Sequence, residues 1–189
     1  SLAANTKVTS MLVTDTSANI ATNLDALQTN QAKITSITQS GTPAALDVTY
    51  SQVTSAAQAL AKIDSNVYTL NVSGVSAANV SSLAANTKVT SMLVTDTSAN
   101  IATNLDALQT HQAKITSITQ DAPASSMTLT GAQYANDQAA LGKITGGYTA
   151  TVSNVTAANA ASVAADSSVT ALTVRDTAAN IAANLDALQ

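Results

Sequence analysis

The chain of 189 residues has no cysteine, no tryptophan, no phenylalanine and no glutamate, and a single histidine, His111. Without cysteine there are no disulfides and no thiolate metal sites. One histidine and no cysteine leave neither a Ser-His-Asp triad nor a His-rich metal centre to assemble. Charged residues make up only 10% of the chain and the net charge is −4, so there is no basic stripe to neutralise phosphates, and nucleic acid is not an expected partner. No apolar run reaches the ~20 residues that span a bilayer. Aromatics are 2% of the chain, all tyrosine, so a core has to be built from alanine, valine, leucine and isoleucine. Such a core is thin in each layer and grows by adding layers.

What the chain has is repetition. Asp15-Thr-Ser-Ala-Asn-Ile-Ala-Thr-Asn-Leu-Asp-Ala-Leu-Gln28 returns unchanged as Asp96 to Gln109 and, with two kinds of substitution to alanine, as Asp176 to Gln189. Residues 1–39 and 82–120 differ only at Asn30 against His111. Internal self-similarity of this kind decides the architecture before any single residue does. A finer period is marked by lysine before a β-branched residue at Lys7, Lys33, Lys62, Lys88, Lys114 and Lys143, with Ser168 in the seventh place. The spacings are 26, 29, 26, 26, 29 and 25. Superrepeats 1–81, 82–161 and a partial 162–189 therefore each hold up to three unequal units, starting near 8, 34, 63, 89, 115, 144 and 169. Ser1 and Gln189 both fall inside a repeat, so the stretch is expected to be an excerpt of a longer array, and its first residues read as repeat rather than as an export signal.

Each unit reads as a strand followed by a helix. In the first kind, Val8 to Thr14 is short and rich in β-branched residues, Asp15 is the expected helix cap, and Ile20, Leu24 and Leu27 lie on one helical face. Asp96 and Asp176 are the corresponding caps. In the second kind, Ile34 to Ile37 is followed by a loop with Gly41 and Pro43, a second extended piece at Leu46 to Val48, and the capping box Thr49-x-x-Gln52, repeated at Thr130 and Gln133. The third kind carries the strands Val67 to Val72 and Tyr148 to Val152. Gly74 in one copy faces Asn154 in the other, which predicts a positive φ at that position. The predicted fold is α/β: one continuous solenoid over 1–189, made of strand–helix units of about 26–29 residues, with a parallel sheet on one face and alanine-rich helices on the other. A competing arrangement has all three units of a superrepeat closing one larger coil.

The chemistry is sparse. His111 replaces Asn30 in an otherwise identical block and reads as surface drift. Asp15 and Asp25 are nearly three helical turns apart and do not converge. Neither the glycine-rich calcium nonapeptide nor a D-x-D-x-D-G loop is present, so no cofactor is expected, with calcium between units the one residual option. The lysines suit a solvated row at helix ends. Asn19 and Asn79, each before a core aliphatic, are candidates for an asparagine ladder bridging neighbouring coils. Tyr68 and Tyr148, at equivalent positions, are the candidate interaction residues.

These features together — the recurring Asp15–Gln28 block, the near-identical 39-residue segments, the Ser/Thr/Ala/Asn bias and the lack of cysteine and tryptophan — resemble the repeat arrays of very large secreted or surface-attached bacterial proteins, adhesins exported by type I secretion, S-layer-like proteins and filament-forming proteins among them. That resemblance implies an extracellular or cell-surface location and a structural role as stalk, spacer or fibre subunit rather than an enzyme. An adhesive module engaging glycan or itself through the strand face is the alternative. The expected partners are neighbouring repeats of the same chain, with homotypic assembly possible through uncapped ends.

Overall fold

A computed structural model describes residues 5–64 and 68–188. The chain is mixed α/β, with parallel strands and short helices alternating along the sequence. Its residues divide into two compact units, one of residues 1–75 and 83–93, the other of residues 76–82 and 94–189.

In the first unit, strand β1 (Met11–Asp15) leads into helices α1 (Ser17–Thr22) and α2 (Leu24–Thr29), and a turn at Gln31–Lys33 delivers the chain to β2 (Ile34–Gln39). β1 and β2 pair in parallel, Val13 opposite Ile37, and Ile37 bridges on to Ile63. After the loop come β3 (Leu46–Thr49), α3 (Tyr50–Ser55) and α4 (Ala57–Leu60), then β4 (Leu70–Val75). β3 pairs in parallel with β4, Leu46 opposite Leu70 and Val48 opposite Val72. The next strand, β5 (Val89–Asp96), neighbours β4, and the Leu70 amide donates to the Lys88 carbonyl at 2.8 Å.

The second unit is also built of parallel strands and short helices. The turn Ala77–Asn79 comes first, and the end of β5 is followed by α6 (Ser98–Thr103) and α7 (Leu105–Thr110). Next are β6 (Ile115–Gln120), β7 (Met127–Thr130), α8 (Gly131–Asn136) and α9 (Gln138–Leu141). They lead to β8 (Ala150–Val155), α10 (Ala157–Ala164), β9 (Val169–Val174), α11 (Ala178–Ala183) and a last turn at Leu185–Leu188. The short helix α5 (Val80–Ala84) stands between the Ala77–Asn79 turn and β5. Strands β7, β8 and β9 form a parallel sheet in that order.

Among the described residues, every strand pairs with its successor or predecessor in the chain, and none with the strand a superrepeat away. Three units closing one coil would require pairs about 81 residues apart, so the competing coil is not the one formed. Alternate strand residues point inward: Leu46, Val48, Leu70, Val72, Met127, Leu129 and Val152 are all buried, with Ile20, Leu24, Ile101 and Leu105 reaching them from the helices.

Three expectations need correcting. The helix predicted over Asp15–Gln28 is broken into α1 and α2, and its copy into α6 and α7. The break falls at Asn23 and Asn104, which sit near φ −100°, ψ +15° and donate from Nδ2 to the Asn19 and Asn100 carbonyls at 2.9 Å. An amide that satisfies a carbonyl four residues back competes with the helical ladder there. The cap is also shifted by one residue. Thr16, Thr97 and Thr177 occupy the cap position, accepting from the amides of Asn19, Asn100 and Asn180 at 3.2–3.3 Å. Asp15, Asp96 and Asp176 precede them. The strand predicted from Val67 starts, where described, at Leu70, and Val67 lies outside the described residues.

Candidate functional site

The aspartates are tie points between elements. Oδ1 of Asp96 accepts from its neighbour's amide, Thr97 N, at 2.8 Å, and from Asn100 Nδ2 at 2.7 Å. Oδ2 accepts from Ala77 N at 2.9 Å, the first amide of the turn that opens the preceding helical segment. Asp176 repeats this with Thr177 N, Asn180 Nδ2 and Ala157 N at 2.8, 2.6 and 3.0 Å. Its three donors, the Asn180 amide first, hold its carboxyl below the usual carboxylate range. Asp15 makes the two Oδ1 bonds, to Thr16 N and Asn19 Nδ2 at 2.8 and 2.7 Å. At Asp96 and Asp176 one carboxylate thus closes its own loop and caps the start of the helical segment that precedes its strand.

Glutamine and serine make the other cross-links. Gln28 Oε1 accepts from Ala59 N at 2.9 Å, and Gln109 Oε1 from Ala140 N at 2.8 Å. Ser17 Oγ, buried, accepts from Gln39 Nε2 at 2.6 Å and Ala44 N at 3.1 Å, with Ser98, Gln120 and Ser125 repeating the node. The asparagine ladder does not form in the bonds described: Asn19 Nδ2 turns to Asp15 and Asn79 Nδ2 to Ser76 Oγ, both inside their own unit. The sequence did carry the signal for the real bridges, since Gln28, Gln39 and Ser17 recur in register, but nothing local distinguishes a bridging glutamine from a solvated one.

Thr49 and Thr130 sit at helix caps in complete capping boxes with Gln52 and Gln133. Tyr68 is half-buried, with the Lys88 ammonium 4.9 Å from its ring centroid, and burial raises its phenol pKa. Tyr148, also half-buried, lines a shallow cavity of about 320 Å³ with Gln120, Gly146 and Gly147. Both tyrosines stand just before their strands, β4 and β8, and not within them.

An apolar opening of about 370 Å³ lies on the first unit, between the start of β1 and the helices α1 and α2. Met11, Val13, Ile20, Leu27 and Ile34 form its floor, and Asp15, Asn19, Asn23 and Asn30 its rim. Its floor offers surface for packing, and its rim holds no nucleophile–base pair. Among the described residues no three histidines or aspartates come together as a metal site, and no helix is long and apolar enough to cross a membrane. Compared with known protein families, characterised proteins and solved structures, the chain matches none.

Proposed function

We propose that this chain is a structural repeat segment — stalk, spacer or fibre subunit — of a large extracellular or cell-surface bacterial protein, built as an α/β solenoid with one strand–helix unit per coil. The observation that carries the reading is that the same cross-links recur at equivalent positions. Gln28 to Ala59 is matched by Gln109 to Ala140, and Ser17 with Gln39 by Ser98 with Gln120. Each superrepeat spends its polar residues on holding the next strand and helix, and the copies stay nearly identical over 39 residues. Duplication under such a plan preserves length and stiffness and leaves no unique site. The cystine-free composition and low charge suit a long exported chain whose coils are held by packing and backbone pairing.

The test is location and length in the source cell. An antibody raised against this segment should label intact cells, and mild external proteolysis should release a polypeptide much longer than 189 residues. A product of about this length confined to the cell interior contradicts the proposal.

A further inference from the structure

Within the second unit the bond from Ala140 N–H to Gln109 Oε1 joins α7 to α9 at 2.8 Å. Three residues earlier on each side, nearly one helical turn, stand Asp106 and Asp137. The matched spacing brings the two together, and the side chain that faces Asp137 is the carboxyl of Asp106. Asp137 occupies the cap position of α9, where an aspartate ordinarily accepts from the amide two or three residues on. Here the third amide, Ala140 N–H, already donates to Gln109, and Asp137 makes no side-chain cap bond. Its carboxyl is left buried, and Oδ2 has no donor.

The first unit is the natural control. It has the same helix–helix bond, Ala59 N–H to Gln28 Oε1 at 2.9 Å, and Asp25 stands where the second unit has Asp106. In the place of Asp137 it has Ala56, fully buried. Docking of the two helices therefore does not require the second carboxyl. A buried acid facing another acid costs stability until a positive charge joins the pair.

We propose that Asp106 and Asp137 together bind one hard divalent cation, magnesium or calcium, between α7 and the start of α9. Asp137 supplies oxygens from the buried side and Asp106 from the exposed side, so the ion keeps water in its remaining positions. Magnesium is commonly held by one or two carboxylates with water completing the shell, and calcium takes the same oxygens in a looser geometry. The two carboxylates balance the charge of the ion. Without it, they stay close only by retaining a proton. The bound ion ties α7 to α9 one turn before the Gln109 bond does, and so clamps two consecutive strand–helix units. The inference concerns this one pair of side chains and does not rest on the spacer reading, so either can fail alone.

The experiment uses the full chain, isotope-labelled and freed of metal with a chelator. Magnesium chloride and, separately, calcium chloride are added at pH 7.5 while the backbone amide resonances are followed by NMR. Saturable shifts centred on Asp106 and Asp137 are expected, with a dissociation constant of about 10⁻⁴–10⁻³ M, the weak end for sites with few charged ligands. Saturation by either salt supports the proposal, and the tighter of the two is the ligand. Asp137→Ala, which copies the first unit, should fold and bind at least tenfold more weakly, and Asp106→Asn should do the same. Ala56→Asp puts the missing carboxyl opposite Asp25 and should add a second set of saturable shifts there. Unsaturated shifts spread over the exposed aspartates up to about 10 mM salt, ten times the weakest expected constant, overturn the proposal. So do binding that Asp137→Ala leaves within twofold and a folded Ala56→Asp chain with no second site.

Discussion

Asp137 stands where the preceding superrepeat has Ala56, between α8 and α9, and is 4% exposed. Its Oδ2 has no hydrogen-bond donor, and the neighbouring carboxyl is another acid, Asp106. Burial first, then the hydrogen bond and charge of Asp106, push its pKa up to about 6, because Asp137 can bond a carboxylate only by keeping its proton. A folded-state value above the unfolded one means that the folded chain binds the proton more tightly. The stabilising contribution is complete below about pH 4 and is lost as pH rises through about 6. A carboxyl moved that far carries at most about 3 kcal/mol. Asp106 is solvent-exposed and screens its share, which leaves ~1–2 kcal/mol. Asp137→Ala removes the buried charge and restores the side chain that the other copy accommodates with no exposure at all. Urea unfolding across pH 4–8 should therefore find the variant more stable by ~1–2 kcal/mol at pH 7.5, with the gap narrowing towards pH 4. A variant that is less stable at pH 7.5, or a difference that does not change with pH, refutes the reasoning.

Asp96→Asn puts an amide against the Ala77 N–H and should cost about 1–3 kcal/mol in the same assay, more than Asp176→Asn, whose site is partly exposed. Thr49→Ala and Thr130→Ala each remove a capping box and should cost about 1 kcal/mol, with Thr→Ser restoring most of it. Asn154 has φ +57° and its counterpart Gly74 φ +66°, so Asn154→Gly should be near neutral while Asn154→Val costs about 1–2 kcal/mol.

The α/β class and the parallel strands were legible because β-branched runs alternate with i, i+4, i+7 apolar faces. The positive φ at Gly74 and Asn154 was legible because only those two residue types share that backbone region cheaply. The capping boxes at Thr49 and Thr130 follow from one local pattern and needed no tertiary information. The cap at Thr16 was misplaced because Asp15 and Thr16 are both good caps, and only the backbone decides which carbonyl starts the helix. The break at Asn23 was hidden for a similar reason: an interior asparagine bonds either solvent or its own carbonyl four residues back. Bridges such as Asp96 to Ala77 join residues on different strands and helices, so they emerge only once the strand register is known. Asp137 was invisible because only the structure shows the break between α8 and α9 and the burial of the residue that stands there.

In the proposed solenoid each strand–helix unit adds one layer to a stack. Inserting a further copy of residues 82–161 into the chain and measuring the maximum dimension by solution X-ray scattering tests it directly. One unit per layer at the ~4.8 Å spacing of neighbouring strands gives an increase of about 14 Å for the three added units, with an unchanged cross-section. An increase near 5 Å, or a particle that grows equally in all directions, would contradict the account.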